Sequence, residues 1–123
     1  IYAGTIVKKG GKIAYCADAQ VVHSHNYSAL EQFHRNFDLA VSQTMHPEIF
    51  GGIRSESEGI RLVKKSLSYC IRIGKPWLMI QVVTQSAGKL LGYKLGQQYE
   101  RLPEKVILAC TMNRKFWEKE ENL

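Results

Sequence analysis

The sequence lacks the features that identify several large protein classes. Its three cysteines, Cys16, Cys70 and Cys110, are odd in number and far apart. They therefore argue against a disulfide framework and for a reducing compartment, the cytoplasm. No run of 18 apolar residues is present, so no membrane-spanning helix is predicted. There is no P-loop, no G-x-G-x-x-G fingerprint and no Ser/His/Asp order, and the common signatures of nucleotide binding and of hydrolysis are thereby excluded.

The sequence contains fewer acidic than basic residues. The 123 residues include 17 Lys+Arg against 11 Asp+Glu, a net charge of +6, and the apolar content of 45% is enough for one ordinary core. The excess is densest in Ile53–Lys75, where six basic residues meet two acidic ones. A basic excess weakly favours nucleic acid, anionic lipid or phosphorylated ligands, and a solvated basic face is its commoner explanation. The candidates for membrane or anion contact are Arg61, Lys64, Lys65, Arg72 and Lys75.

The patterns predict a mainly α fold, with two short N-terminal strands followed by about four helices. Ile1–Lys9 is interpreted as the end of a helix, because basic residues there precede Gly10 and Gly11. Lys12–Cys16 and Gln20–His23 are predicted as strands. Two such strands cannot stand alone. We therefore expect a larger sheet supplied by a missing N-terminal part, and interpret the chain as a fragment.

Helical periodicity dominates the rest of the sequence. Two capping boxes, Ser28 with Glu31 and Ser55 with Glu58, mark helix starts. The four predicted helices are Ser28–Met45, 55–73 ending at Gly74, Trp77–Tyr99, and Pro103 to Cys110 or Met112. A loop or single turn is predicted at Pro47–Gly52, and Asn113–Trp117 follows the last helix without an assigned element.

The longest predicted helix carries small residues at strict four-residue spacing, namely Thr84, Gly88, Gly92 and Gly96. Glycine inside a helix costs about 1 kcal/mol relative to alanine. Close approach of another helix along this ridge is the natural compensation, and a helical oligomerisation domain is one function that it would allow.

The junction Ala19–Ser28 is the best candidate for chemistry. A short apolar run ends there in His23 and His25, which share one face if the strand continues. Such a pair can bind a metal or a phosphate, or can simply be two surface histidines. A structural zinc site using Cys16, His23, His25 and His34 matches no common spacing. Nearby carboxylates are sparse, so the junction is not a self-sufficient active site.

These residues resemble a known family. The C-terminal part of family 2 glycosyltransferases, with the rhamnosyltransferase branch closest, is similar over nearly the whole chain. The segments that carry the resemblance are Gly11–Tyr15, Asp18–Ser28 with its Val22-His23-Ser24-His25, Phe33-His34-Arg35-Asn36-Phe37-Asp38, Leu95–Pro103 and Arg114-Lys115-Phe116-Trp117.

The resemblance implies a GT-A fold whose nucleotide-sugar half holds a divalent metal through Asp-x-Asp, with a Glu-Asp pair as catalytic base. On this basis residues 1–27 are a remnant of the catalytic domain and residues 28–123 a C-terminal helical region. This sequence contains neither motif at the expected place. We therefore expect no catalytic residue in the fragment and no transferase activity from it alone.

The resemblance also assigns roles to residues. His23 would be a ligand of the divalent metal, Mg or Mn, in the full-length enzyme, with none expected in the fragment. Substrate or phosphate contacts would come from His25, Asn26, Tyr27 and Arg35. The implied partners are a nucleotide-sugar donor, such as a rhamnose donor, and a glycan or lipid-linked acceptor in bacterial surface polysaccharide synthesis. Peripheral contact with the inner face of the membrane and homo-oligomerisation are further expectations. The alternatives are a small basic module that binds nucleic acid and the oligomerisation domain.

Overall fold

The computed structural model describes residues 1–22, 27–51 and 56–120, and this part of the chain is helical. The α-helices are α1 (Tyr2–Lys8), α2 (Ala29–Met45), α3 (Pro47–Phe50), α4 (Glu56–Arg72), α5 (Leu78–Gly96), α6 (Glu104–Cys110) and α7 (Arg114–Glu120), with a 3₁₀ turn at Tyr99–Arg101. The prediction of a mainly α fold is confirmed. The single turn expected after α2 is α3, and the segment after α6 forms a helix of its own, α7.

The two predicted N-terminal strands are wrong. Within residues 1–22 the structure contains no strand, and the chain from Gly11 onward is a connection with a turn near Asp18. The apolar side chains that suggested strands are exposed, with Tyr15 at 95% and Val21 at 86%. A strand needs a neighbouring edge for its backbone groups and a face to bury against, and the described residues offer this segment neither. Part of the second predicted strand, His23, lies outside the described residues.

Several helix ends follow directly from local chemistry. Gly10 and Gly74 adopt positive φ angles, 82° and 69°, as the residue after a helix does in a Schellman motif. At α1 the Gly11 N–H donates to the Ile6 carbonyl over 2.9 Å, and at α4 the Lys75 N–H donates to the Cys70 carbonyl over 3.0 Å. The predicted stops at both glycines are confirmed.

The capping box at the start of α2 is also confirmed. The Glu31 backbone N–H donates to the Ser28 hydroxyl over 3.2 Å, and the Ser28 N–H donates to the Glu31 carboxylate over 2.7 Å. Ser55, which the second predicted capping box requires, lies outside the described residues.

The glycine ridge is the main packing device of the fold. Gly88, Gly92 and Gly96 of α5 lie against the backbone carbonyls of Ala29, Phe33 and Phe37 of α2. Both series advance by four residues in the same direction, so the two helices run parallel. A β-carbon on Gly92 would lie 2.9 Å from the Phe33 carbonyl carbon. The predicted close approach is confirmed, but its partner is a helix of the same chain. The ridge is therefore not available for the oligomerisation that the sequence suggested.

The core lies at the C-terminal halves of these two helices. Phe37 is fully buried, and Val41, Ile107 and Cys110 complete the buried cluster. Around it pack Phe33, Met45, Leu95, Tyr99, Leu102 and Trp117. The end of α5, the 3₁₀ turn, α6 and α7 thus close over one end of the α2–α5 pair.

The N-terminal helix packs against α3, which follows the C-terminal end of α2. Gly4 of α1 lies against the side chain of Ile49 in α3. No helix in the described part of the chain combines the length and apolarity needed to span a membrane.

Candidate functional site

The predicted site residues fall into two groups. His23, His25 and Asn26 lie outside the described residues, so their proposed contacts with metal and phosphate remain predictions. Tyr27 and Arg35 are described, and the structure brings them together, with the guanidinium carbon 5.1 Å from the centre of the tyrosine ring. This is a cation–π contact across two turns at the start of α2.

The chain that follows the two histidines is held by α5. The Gln85 side-chain amide donates to the Tyr27 carbonyl over 3.4 Å, and the Gly88 backbone packs on Ala29 two residues later. The capping box at Ser28 fixes the first turn of α2. Tyr27, where the described chain resumes after the two histidines, is therefore anchored by α2 and α5 together.

A polar groove lies at this point. It runs between the first turns of α2 and the N-terminal half of α5 and has a volume of about 620 Å³. Hydroxyl, amide and carboxylate groups dominate its walls, which comprise Tyr27, Ser28, Ala29, Glu31, Gln32, Gln81, Thr84 and Gln85. Such groups both donate and accept hydrogen bonds, and the hydroxyls of a sugar are ligands of that kind. We call this the N-terminal groove.

Among the described residues that line the N-terminal groove, Glu31 carries the one carboxylate. Hydrogen bonds from the Ser28 backbone N–H and hydroxyl lower the pKa of Glu31 from its ordinary value. It is ionised at neutral pH and already accepts two hydrogen bonds, so its main role is to cap α2.

The sequence did not identify Gln81, Thr84 and Gln85 as groove residues. A signal was present, because Thr84 stands one turn before Gly88 in the same four-residue series that packs on α2. The glycine series meets α2 as far as Ala29, the first residue of α2. Thr84, one turn earlier in α5, therefore lies beside the start of α2 and borders the groove there.

The Phe33–Asp38 motif turns out to hold the helices together. The His34 Nδ1 atom lies 2.7 Å from the Cys110 carbonyl oxygen at the end of α6. The Asp38 carboxylate accepts from the Thr111 hydroxyl over 2.6 Å and from the Met112 N–H over 2.9 Å. His34 and Asp38 are one turn apart on one face of α2, and together they fix the link between α6 and α7. We call these contacts the α6–α7 clasp.

The contacts of the α6–α7 clasp argue against a catalytic or metal-binding role for His34 and Cys110. The Nδ1 atom of His34 is committed to the backbone of α6, 76 residues away in sequence. Burial raises the pKa of the Cys110 thiol, so it is protonated and a poor nucleophile at neutral pH. Among the described residues no three His, Cys, Asp or Glu side chains are grouped so that they could hold a metal ion. They therefore do not by themselves fit a divalent metal, and we derive no step through one.

The predicted basic contacts lie elsewhere, on and after α4. Arg61 forms an exposed ion pair with Glu58 at 2.8 Å, and the Arg72 guanidinium carbon lies 5.7 Å from the centre of the Tyr69 ring. Lys64, Lys65 and Lys75 are exposed. These residues lie on α4 and in its connection to α5, and they do not line the N-terminal groove.

Comparison with known proteins gives two relatives of known type. No protein-family model matches the chain, and no solved structure matches it. The O-antigen chain rhamnosyltransferase WbaN of Salmonella anatum is 37% identical over 118 residues, which are 94% of this chain and 36% of that protein. RfbN of Salmonella typhimurium, also an O-antigen chain rhamnosyltransferase, is 37% identical over 118 residues, 37% of its length.

The chain is related to these rhamnosyltransferases over nearly its whole length. The resemblance to the rhamnosyltransferase branch, inferred from the sequence motifs, is confirmed at this level. The chain spans little more than a third of the length of these relatives, and its assignment to family 2 and to a GT-A fold remains a prediction.

Proposed function

We propose that this chain is part of a glycosyltransferase that transfers rhamnose from a nucleotide-sugar donor to a glycan or lipid-linked acceptor in surface polysaccharide synthesis. The observation that carries the proposal is the 37% identity, over 94% of the chain, to two proteins named as O-antigen chain rhamnosyltransferases. Because the matched region is 36% and 37% of those proteins, we assign to it a part of the transferase site and not the whole reaction.

The proposed part is the support of the His23-Ser24-His25 junction. Gln85 and Gly88 hold the first residues of α2, and the N-terminal groove lies beside them with amides and hydroxyls suited to sugar hydroxyls. The Arg35 guanidinium lies over the Tyr27 ring, where it favours an anionic group of the substrate. His23 is the residue proposed to bind a divalent metal in the full-length enzyme, where such a metal would neutralise charge on the departing nucleoside diphosphate.

A chimaera tests the assignment without requiring activity from 123 residues alone. The aligned 118 residues of the Salmonella typhimurium relative are replaced by this chain, and the gene is introduced into a strain lacking its own copy. We expect O-antigen to return on lipopolysaccharide gels, because the replaced segment performs the same task. A stable chimaera that restores no O-antigen contradicts the proposal.

Two histidine variants of the chimaera locate the site. We expect His23→Ala to abolish the recovery while the protein stays folded and abundant. His46→Ala is the matched control, because His46 ends α2 far along the helix and pairs with Glu48 at 3.2 Å. Equal activity of the two variants would remove His23 from the site.

A further inference from the structure

The α4–α5 hairpin carries an unusual charge pattern. From Gly59 to Tyr99 there is no aspartate or glutamate, while seven lysines and arginines occur: Arg61, Lys64, Lys65, Arg72, Lys75, Lys89 and Lys94. This stretch therefore holds a charge of +7, against +6 for the whole chain, so the remainder of the chain is close to neutral. With Glu56 and Glu58 at the start of α4 included, residues 56–96 hold +5 of the chain's net +6, so most of the charge excess belongs to this hairpin.

The same hairpin leaves a large apolar face uncovered. α5 packs on α2 through its glycines, and α4 lies on α5 through buried Cys70 and half-buried Val63 and Leu67. The side of α5 away from the glycine ridge repeats apolar residues at helical spacing, and their exposures are 71% for Ile80, 52% for Val83, 56% for Leu90 and 63% for Leu91. Trp77, which directly precedes α5, is 62% exposed, and Ile60 and Ile71 of α4 are exposed to 59% and 63%. We call Ile80, Val83, Leu90 and Leu91 the outer face of α5.

We propose that the α4–α5 hairpin lies flat on an anionic lipid bilayer, with the outer face of α5 and Trp77 at the level of the headgroups and acyl chains and with the basic residues of α4 against the phosphates. Exposed basic and apolar residues side by side on α4, next to the exposed apolar residues of α5, are the combination that interfacial helices use, and tryptophan prefers this depth. The inference does not depend on the proposed glycosyl transfer.

Charge complementarity selects this occupant over the two others. Between residues 56 and 96 seven basic side chains stand against two acidic ones, Glu56 and Glu58, so the hairpin holds a charge of +5. Two copies of the chain would bring two such hairpins together, so their association would be repulsive. Nucleic acid would satisfy the charge but would leave the isoleucines, leucines and valines of the outer face of α5 without a matching apolar surface. A bilayer with anionic headgroups satisfies both features.

Vesicle co-sedimentation of the complete chain tests the inference. One set of vesicles contains phosphatidylethanolamine with about a third phosphatidylglycerol, and the other contains phosphatidylcholine only. We expect binding to the anionic vesicles alone, weakening as salt is raised because the Debye length contracts. Lys64→Glu with Lys65→Glu should weaken binding by at least fivefold per position, the effect of one charge near such a surface. Lys105→Glu with Lys115→Glu, on exposed positions outside the hairpin, is the charge-matched control and should bind nearly as the parent does.

The apolar contribution has its own readout. Leu90→Ser should reduce binding severalfold without changing the helical circular dichroism, since Leu90 is exposed in the free chain. Acyl chains brominated near the headgroup should quench the fluorescence of the parent, and the quenching should be lost in Trp77→Phe, because Trp117 packs against the core. Binding that ignores lipid charge overturns the inference. The inference is also overturned by equal losses of binding in the hairpin and control pairs, by a dimer that forms through Leu90, or by tighter binding to duplex DNA than to vesicles.

Discussion

Substitution of Gly92 by alanine tests the packing of α2 on α5. A β-carbon at this position would overlap the Phe33 carbonyl oxygen and lie 2.9 Å from its carbon and 3.0 Å from the Phe33 α-carbon. Carbon atoms in contact ordinarily stand about 3.5–4.0 Å apart. The overlapping atoms belong to the Phe33 backbone, so no side-chain rotation can remove the clash. The two helices must therefore separate by roughly 0.5–1 Å.

The expected magnitude is the balance of two effects. Alanine is about 1 kcal/mol better than glycine inside a helix. Against this, overpacking costs about 1–3 kcal/mol. We expect the upper part of that range, because Gly88 and Gly96 sit on the same ridge and lose contact together with Gly92. The net prediction is a destabilisation of roughly 1–2 kcal/mol.

Urea unfolding followed by circular dichroism at the helical band measures this value, with Gly59→Ala as the matched control. Gly59 lies in α4, and a β-carbon there meets nothing within 4 Å. The control should therefore be stabilised by about 0.5–1 kcal/mol. The two substitutions are chemically identical and should have opposite signs. If Gly92→Ala is as stabilising as Gly59→Ala, the close packing of α2 and α5 is refuted.

Three further predictions concern α2. Phe37→Ala should destabilise the chain by about 3–5 kcal/mol in the same urea measurement, because Phe37 is the fully buried centre of the core. Asp38→Ala should lower the free energy of unfolding by about 1–3 kcal/mol and increase amide exchange in α7. Asp38→Asn still accepts hydrogen bonds and should lose less stability. Equal losses of stability in the two variants would contradict the clasp. The stability that Glu31 contributes should be present above the unfolded pKa of glutamate and lost as pH falls through its lowered folded pKa, so Glu31→Gln and the parent should converge in acid.

Local signals carried most of the helical prediction. The Ser28–Glu31 capping box and the glycines at positions 10 and 74 mark helix ends through contacts within a few residues, and such contacts are visible in sequence. The glycine ridge was also readable, because three glycines in one helix must be compensated by close packing. Its partner was not readable, since the matching series in α2, Ala29, Phe33 and Phe37, has no distinctive composition.

The strands failed for the opposite reason. The alternation in Lys12–Cys16 predicts which side chains of a strand would be buried. That prediction applies only where the segment has a neighbouring strand and a core to pack against. Among the described residues the segment has neither, and Tyr15 is 95% exposed. The roles of His34 and Asp38 were equally beyond the sequence, because their partners in α6 and after it lie more than 70 residues away.

The glycine ridge and the N-terminal groove lie along the same contact between α2 and α5. The four-residue series of α5 runs from Gly96 in the core, through Gly92 and Gly88, to Thr84 in the wall of the N-terminal groove, so a separation of the helices at any point shifts the start of α2. Tyr27 and the histidine junction before it depend on that start. In the chimaera, Gly92→Ala should therefore lower O-antigen synthesis even though Gly92 touches no groove residue, and Gly59→Ala should not. Full activity of a Gly92→Ala chimaera would show that the junction is positioned independently of the helix pair.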